Sequence, residues 1–310
     1  FYIANYDEEN GWIRSLSRTG RVYTTGEHVD PGGEFLNLMR MLDGMDIGVF
    51  AGNHEFSPAQ YEINLWHSEA LDAADRTFLF KTAVRDIVAR TGKHALFVGK
   101  PWDDEGGSGF HLHFSVVDKD GNNIMSDGGS GLSEMANHMI GGILEHAGSL
   151  AALSNPTVNA YKRLGPDTLA PYRANWGHDN RSAMLRVPPE RGAGTRLEVR
   201  LGDPAANPYL LIASTLAAGL DGIKRKLTAP AAVEGWAYED ESAPILPMTL
   251  NAALDALDAD TAMRETMGST IINVFSVLKR DEVMRYEDTV PDKTTREVSQ
   301  WEIDEYFADY

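Results

Sequence analysis

Apolar and polar residues alternate most strictly between Phe110 and Val116. Successive side chains of a strand point to opposite faces. Phe110, Leu112, Phe114 and Val116 therefore share one face, and His111, His113 and Ser115 share the other. The first face suits a core. The second carries metal-binding and hydrogen-bonding groups. The strand follows Gly106-Gly-Ser-Gly109, a run of small residues that lets a ligand approach the backbone. The same period of two recurs where Tyr61, Ile63 and Leu65 alternate with Glu62 and Asn64. It recurs again where Leu197, Val199 and Leu201 alternate with Arg196, Glu198 and Arg200. Short apolar runs at 1–4, 47–50 and 94–99 predict further strands.

Helical spacing predicts a helix over 34–42, with Phe35, Leu38, Met39 and Leu42 on one side, and another over 68–90 that stops at Gly92. Ser133 is placed to cap a single helix running to Leu153, with Ile140, Ile143 and Leu150 on its buried side. A long helix follows Asp203-Pro-Ala-Ala-Asn-Pro-Tyr209 and runs through Ile223. The last long helix is predicted over 261–285, with Met263, Met267, Ile271, Val274 and Leu278 as its apolar row. Residues 18–33 read as a loop, 118–121 as a hairpin turn, 228–248 as a surface excursion and 298–310 as a short acidic amphipathic end. Strands and helices are mixed along the chain, and no internal repeat is present.

Composition narrows the function. The 310 residues are 43% hydrophobic and 24% charged, an ordinary globular balance, and are expected to form one domain over 1–310. The absence of cysteine excludes disulfides and thiolate metal sites. A formal charge of −18 repels polyphosphate backbones, so no nucleic-acid partner is expected. No apolar run approaches 18 residues, so no membrane partner is expected, and the location predicted is the cytoplasm. The chain opens on Phe1, which predicts that its N-terminus is incomplete.

Four stretches carry candidate chemistry. The first is the His111–Ser115 face. The second is Asn53-His-Glu55 with Gln60-Tyr-Glu62. A zinc-protease reading of His54-Glu55 fails, because no second histidine follows at the helical offset. Two carboxylates beside one Gln and one His suit a hard cation such as Mg²⁺ or Mn²⁺; a solvated polar face fits this stretch equally well. The third stretch, 155–188, carries Tyr161-Lys-Arg163, Asn180-Arg181-Ser and Arg186 among prolines and glycines. It reads as a loop over an anion site, or as surface salt bridges. The fourth is the Arg196–Glu198–Arg200 face, costly to bury unless it meets ligands or partners.

Taken in order, Asn-His-Glu55…Gln-Tyr-Glu62, Gly-Ser-Gly-Phe-His111-Leu-His113, Asn-Ala-Tyr-Lys-Arg163, Asn-Arg181-Ser-Ala and Arg196-Leu-Glu198-Val-Arg200…Ala-Asn-Pro-Tyr resemble the glutamine synthetase family over essentially the whole chain. The resemblance implies an α+β fold: a catalytic domain with a curved, mostly antiparallel sheet flanked by helices, here without the small N-terminal domain. It also implies a homo-oligomer of stacked rings, expected as a dodecamer. Its substrates would be glutamate, ATP and ammonia or another amine, with two or three Mg²⁺ or Mn²⁺ ions per site. Glu55 and Glu62 would ligate one metal, and His111 and Glu198 another. Gly107, Arg163 and Arg200 would hold glutamate. Arg181 and Arg186 would stabilise the phosphoryl group in transit, and His113, Ser115 and Arg196 would face ATP. The reaction implied is phosphorylation of the γ-carboxylate, then displacement of phosphate by the amine.

Three departures from the family pattern matter. The Glu-x-Glu pair that supplies a ligand to each metal would precede Phe1. The adenylylated tyrosine motif of some bacterial members has no counterpart in 228–250. The flap glutamate that takes a proton from ammonium is replaced by Leu169. A leucine neither accepts a proton nor attracts a cation, so the expected product is a γ-glutamylamide of an organic amine. Ordinary glutamine synthetase is the alternative. A catalytically silent structural homologue and a metal hydrolase built on His111 and His113 are weaker rivals: the first would not need the ligand and arginine set together, and the second would not need the arginines.

Overall fold

In the computed structural model, which describes residues 1–17 and 22–310, nine strands alternate with ten helices among the described residues. The strands are β1 (Tyr2–Asp7), β2 (Gly11–Arg14), β3 (Val49–His54), β4 (Tyr61–Leu65), β5 (His94–Leu96), β6 (Phe110–Phe114), β7 (Trp176–His178), β8 (Leu185–Val187) and β9 (Leu197–Gly202). The helices are α1 (Glu34–Gly44), α2 (Ala70–Ala89), α3 (Glu134–Glu145), α4 (Ala147–Ser154), α5 (Ala160–Arg163), α6 (Pro208–Arg225), α7 (Leu250–Ala259), α8 (Thr261–Met267), α9 (Ser269–Thr289) and α10 (Gln300–Tyr306).

Hydrogen bonding divides the strands into three sheets, ordered β2-β1-β5, β3-β4 and β6-β9-β8-β7. Every pairing is antiparallel except β7 with β8. The bridge between Tyr2 and Gln60 stitches the first sheet to the second. The apolar face of β9 (Leu197, Val199, Leu201) enters the main core with Leu150 and Leu153 of α4 and Leu185 and Val187 of β8. Alternation leaves its polar face, Glu198 and Arg200, turned to the other side. A second core packs Phe35, Leu38 and Leu42 of α1 and Val84 of α2 against Phe1 and Ile3. Helices α3 and α6 meet through glycines. A Cβ on Gly142 would lie 2.2 Å from the Ala218 carbonyl oxygen, and one on Gly222 would lie 2.1 Å from that of His138.

Several predicted elements change. The strand expected at 47–50 begins only at Val49, because Gly48 sits at φ 85°. The strand expected to 99 closes at Leu96. The helix expected from 133 to 153 keeps its Ser133 cap but breaks at His146. The helix expected over 261–285 breaks at Gly268, φ 91°. On α9 the expected apolar row faces outward: Ile271, Val274 and Leu278 are exposed, while Ile272, Val283 and Tyr286 are buried. The stretch 155–188 is not one loop; it supplies α5, β7 and β8. Helix α7 was not foreseen. Within 18–33, residues 18–21 lie outside the described residues, and 22–33 form turns with a short 3-10 turn at Pro31–Gly33. Segment 228–248 is stitched to β7 and the residue before it: Trp176 Nε1 donates to the Pro230 carbonyl at 2.8 Å, and Asn175 Nδ2 to that of Ala237 at 2.8 Å. Among the described residues no helix is long and apolar enough to cross a membrane.

Helix α10 clamps the stretch before Arg163. Ser299 and Glu302 form its capping box. Glu302 is fully buried and pairs with Lys162, and it accepts from Asn159 Nδ2 at 2.9 Å. A second buried charge cluster fills the α3–α4 break. His146 Nδ1 lies 2.7 Å from Asp260 Oδ2 and Nε2 lies 2.9 Å from Asp221 Oδ2. Ser149 also donates to Asp260, Arg225 donates to Asp221, and Glu145 pairs with Arg225. Burial alone would push the imidazole down, but its hydrogen bonds and charge contacts with Asp260 and Asp221 outweigh it and hold His146 above its ordinary value.

A histidine whose folded value is raised stabilises most below its unfolded value, and that contribution is lost as pH rises through the folded value. His146→Ala should therefore cost about 3 kcal/mol near pH 5.5, as expected for breaking a buried pair. The cost should shrink by pH 9. Denaturant unfolding of both proteins at the two pH values checks this.

Candidate active site

Strand β9 sets the geometry. Its register places His113 of β6 and Arg186 of β8 on either side of Glu198. Both carboxylate oxygens of Glu198 are engaged: Oε2 accepts from Arg186 Nη1 at 2.6 Å and Oε1 from Arg200 Nη1 at 2.6 Å. His111 Nδ1 lies 3.5 Å and His113 Nε2 3.8 Å from Oε1. Burial pushes Glu198 up, but the charges of His111, Arg200 and His113 and the Arg186 hydrogen bond outweigh it and hold the carboxyl at about 2. It is ionised at any physiological pH. Desolvation, then the charge of Arg200, keeps His111 well below its ordinary value. Desolvation also lowers His113, whose Nδ1 accepts from Arg196 Nε at 3.2 Å. Ser115 lies just beyond β6, exposed on the histidine side.

The second group sits where β3 turns into β4. The register pairs Asn53 with Glu62 and His54 with Tyr61, so Glu55 comes beside Glu62. Burial, then the hydrogen bond that protonated Glu55 donates to the Glu62 carboxylate, then the Glu62 charge, push Glu55 up to about 8. Two carboxyls sharing a proton this way are an arrangement that a hard cation would relieve.

Gln60 joins the two groups. Its Nε2 donates to the Gly107 carbonyl at 3.1 Å and to Ser108 Oγ at 3.2 Å. Ser57 accepts from Gly106 N at 2.8 Å, and Tyr2 donates to the Gly106 carbonyl at 2.6 Å. Beneath this loop lies Arg163, only 4% exposed, donating to the carbonyls of Arg200 and Leu201. A Cβ on Gly107 would come within 2.7 Å of Arg163 Cγ. The structure thus places Arg163 under the glycine loop rather than on its open side, and Gly107 is glycine because that guanidinium stem passes close.

Arg200 reaches further than its strand position announces. Its Nε donates to the Arg181 carbonyl at 3.1 Å and its Nη2 to the Leu169 carbonyl at 3.2 Å. Leu169 is held at φ 59° with its side chain 40% exposed. Arg181 Nη1 donates to the Tyr23 hydroxyl at 2.6 Å. Leu169 and Arg181 line an open cleft of about 670 Å³ together with Glu234 and Trp236.

The sequence-predicted residues therefore fall into two sets and a support. Glu55 with Glu62 is one set; His111, His113, Glu198, Arg186, Arg196 and Arg200 are the other. Arg163 and Gly107 support both, and Arg181 and Leu169 border the cleft. Tyr23, Ser57, Asp179 and Asp203 were not foreseen. Asp179 pairs with Arg186, its Oδ1 accepting from Nε at 2.9 Å. Asp203 is fully buried; burial pushes it up to about 6, with the Arg163 charge opposing. Its Oδ2 has no hydrogen-bond partner among the described residues, and a Cβ on Gly99 would sit 1.9 Å from it. The one sequence signal for Asp203 was its place after β9, which reads as a helix start. Among the described residues no three His, Asp or Glu side chains gather as a ready metal cage. The Glu55–Glu62 pair fits a cation as it stands. Glu198 fits one only by releasing Arg186 or Arg200.

Comparison with known proteins agrees with this arrangement. The model of the glutamine synthetase catalytic domain matches residues 8–306. The chain is 40% identical over 283 residues to a glutamine synthetase of Thermus thermophilus, covering 88% of this chain and 61% of that one. It is 45% identical over 266 residues to one of Pyrococcus horikoshii, covering 82% and 59%. It thus spans about three fifths of the length of the curated relatives it matches. A solved GmaS/ADP complex superposes with a TM-score of 0.84 at 31% identity, over 97% of this chain and 69% of that one. With the paired half-sites, the register of β9 and a match from residue 8 to 306, this chain belongs to the glutamine synthetase catalytic-domain family.

Proposed function

We propose that the protein ligates glutamate to an organic amine: ATP phosphorylates the γ-carboxylate, and the amine then displaces phosphate. The observation that carries the amine is Leu169. It stands where a proton acceptor for ammonium would be needed, fixed by Arg200, at the edge of a cleft far larger than ammonia requires. Ammonium must lose a proton before it attacks, and a positioned base contributes about 10²–10⁴-fold to such a step. Leucine contributes none, but contact with alkyl carbon contributes about 0.8 kcal/mol per buried methylene. The superposition on GmaS, a γ-glutamylmethylamide synthetase, supports the same reading.

The residue roles we assign are those the family resemblance implies, and the clustering of these side chains supports them. Arg181 and Arg186 meet the phosphoryl group, where fixed cations stabilise spreading charge. Arg200 orients the flap and, with Gly107 and Arg163, shapes the glutamate pocket. His113, Ser115 and Arg196 form the nucleotide side. Glu55 with Glu62, and His111 with Glu198, would hold Mg²⁺ or Mn²⁺. Such ions, when bound, neutralise phosphate charge and polarise its oxygens. A ring-stacked oligomer in the cytoplasm is part of this proposal. The second reading, ordinary glutamine synthetase, is favoured by the names of the curated relatives. It would need another acceptor, and Asp167 is the nearest carboxylate in sequence.

Two outcomes test this. Saturating Mg²⁺ should raise the melting midpoint of the full-length protein, as any ligand of the native state does. Most of that rise should vanish in Glu55→Gln/Glu62→Gln; an undiminished rise removes the carboxylate pair as a cation site. In a phosphate-release assay, kcat/KM for the best organic amine should exceed that for ammonium at least tenfold, a difference of about 1.4 kcal/mol in barrier. Leu169→Glu should narrow the gap. A wild-type preference for ammonium across the panel makes the protein an ordinary glutamine synthetase.

A further inference from the structure

We propose that Asp203 is a positioning residue of the glutamate pocket: its carboxylate is the buried counter-charge that lets Arg163 stand charged beneath the glycine loop. This rests on the reading above that Gly107, Arg163 and Arg200 shape that pocket. Asp203 is fully buried, so it acts through Arg163 and not on substrate itself.

Asp203 and the Arg163 helix converge on Gly99. A Cβ there would sit 1.9 Å from Asp203 Oδ2 and 3.3 Å from the Cα of Ala160, the first residue of α5, and Arg163 is the last. The Gly99 carbonyl accepts from Ser108 N, in the glycine loop, at 2.8 Å. A Cβ on Gly107 would lie 3.0 Å from that carbonyl oxygen and 2.7 Å from Arg163 Cγ. Carboxylate, Gly99, loop and arginine stem are therefore packed with no room for a further side chain. Asp203 is fixed there: its N donates to the Ser154 carbonyl at 2.9 Å, and its Oδ1 accepts from Ala205 N at 2.8 Å. Oδ2 has no hydrogen-bond partner among the described residues.

Burial makes the charge matter. The Arg163 guanidinium donates to the carbonyls of Arg200 at 2.9 Å and Leu201 at 3.2 Å. Carbonyls satisfy its N–H groups but leave a net positive charge, and a buried charge needs an opposite one. Asp203 supplies the anion, while the nearby Arg200 adds a like charge. Lys81 also acts on Asp203, but it is only partly buried, and its Nζ lies 5.6 Å from the Phe97 ring centroid. Arg163 has no such outlet. An unpartnered buried oxygen is costly; here its charge compensates an enclosed cation.

Arg163 in turn touches what shapes the pocket. A Cβ on Gly109 would come 3.0 Å from both Arg163 Nη2 and His111 Nε2, and that Nη2 bonds the carbonyl of Arg200 itself. Without its counter-charge the guanidinium is driven towards solvent, and the glycine loop and the Arg200 backbone must shift with it. His113 and Ser115, on the nucleotide side, lie towards and beyond the other end of β6. Loss of the Asp203 charge therefore falls on glutamate and spares ATP.

The test is steady-state phosphate release by the full-length protein with its best amine saturating, glutamate and ATP being varied in turn. Asp203→Asn keeps the shape and removes the charge. It should raise KM for glutamate about tenfold, or about 1.4 kcal/mol, and leave KM for ATP within about twofold. Added to Arg163→Gln, the same change should move KM for glutamate less than about twofold, because a residue that acts through another has no separate effect in a double-mutant cycle. Should Asp203→Asn alone unfold, the double variant, which no longer buries a lone cation, should recover the melting midpoint of Arg163→Gln. No recovery, an unchanged KM for glutamate in Asp203→Asn, or an equal rise in both backgrounds overturns the inference. An unchanged KM for glutamate in Arg163→Gln overturns the pocket assignment beneath it.

Discussion

Glu198 is a buried carboxylate between two arginines, on a strand whose other face is core. Removing one partner from such a cluster typically costs 3–5 kcal/mol, because the remaining charge stays buried. The cluster therefore fixes more than itself. Arg186 ties β8 to β9, and Arg200 carries the same charge network to the Arg181 turn and the Leu169 flap. The backbone at Leu169 and Arg181 and the side chain of Arg186 are thus tied to one carboxylate. A mobile pair on the surface could not do this, since exposed ion pairs contribute about 0–1 kcal/mol.

The second constraint is the junction between the half-sites. Glu55 and Glu62 belong to a two-stranded sheet, and His111 and Glu198 to a four-stranded one. Gln60 bridges them through the glycine loop, and Arg163 backs that loop from below. The small residues at 106–109 thus serve packing first: they let the buried Arg163 side chain pass beneath. Helix α10 completes the support by pairing Glu302 with Lys162, next to Arg163.

Most of the site was legible because alternation on strands survives folding. Once β6 and β9 were recognised, His111, His113, Glu198 and Arg200 had to share polar faces, and they do. What period two does not encode is pairing. That His113 and Arg186 flank Glu198 follows from register between strands more than 80 positions apart in the case of His113, and local pattern carries no such information. The short strands β7 and β8 were hidden in a proline-rich stretch. Breaks at His146 and Gly268 were missed because helical spacing continues across them. The outward row on α9 shows the limit of periodicity from the other side: apolar spacing identifies a stripe, and tertiary packing decides whether it is covered. Asp203 gave only a helix-start signal; its burial beside Gly99 and Arg163 comes from tertiary packing.

The central claim is that glutamate is activated as an acyl phosphate at this site, and isotope transfer tests it most directly. Glutamate labelled with ¹⁸O in the γ-carboxylate, ATP and the preferred amine are turned over by the full-length protein, and the released phosphate is analysed by mass. The account predicts one labelled oxygen in each phosphate, because the C–O bond to the phosphoryl group is the one that breaks. Phosphate free of label, released together with amide product, would contradict it.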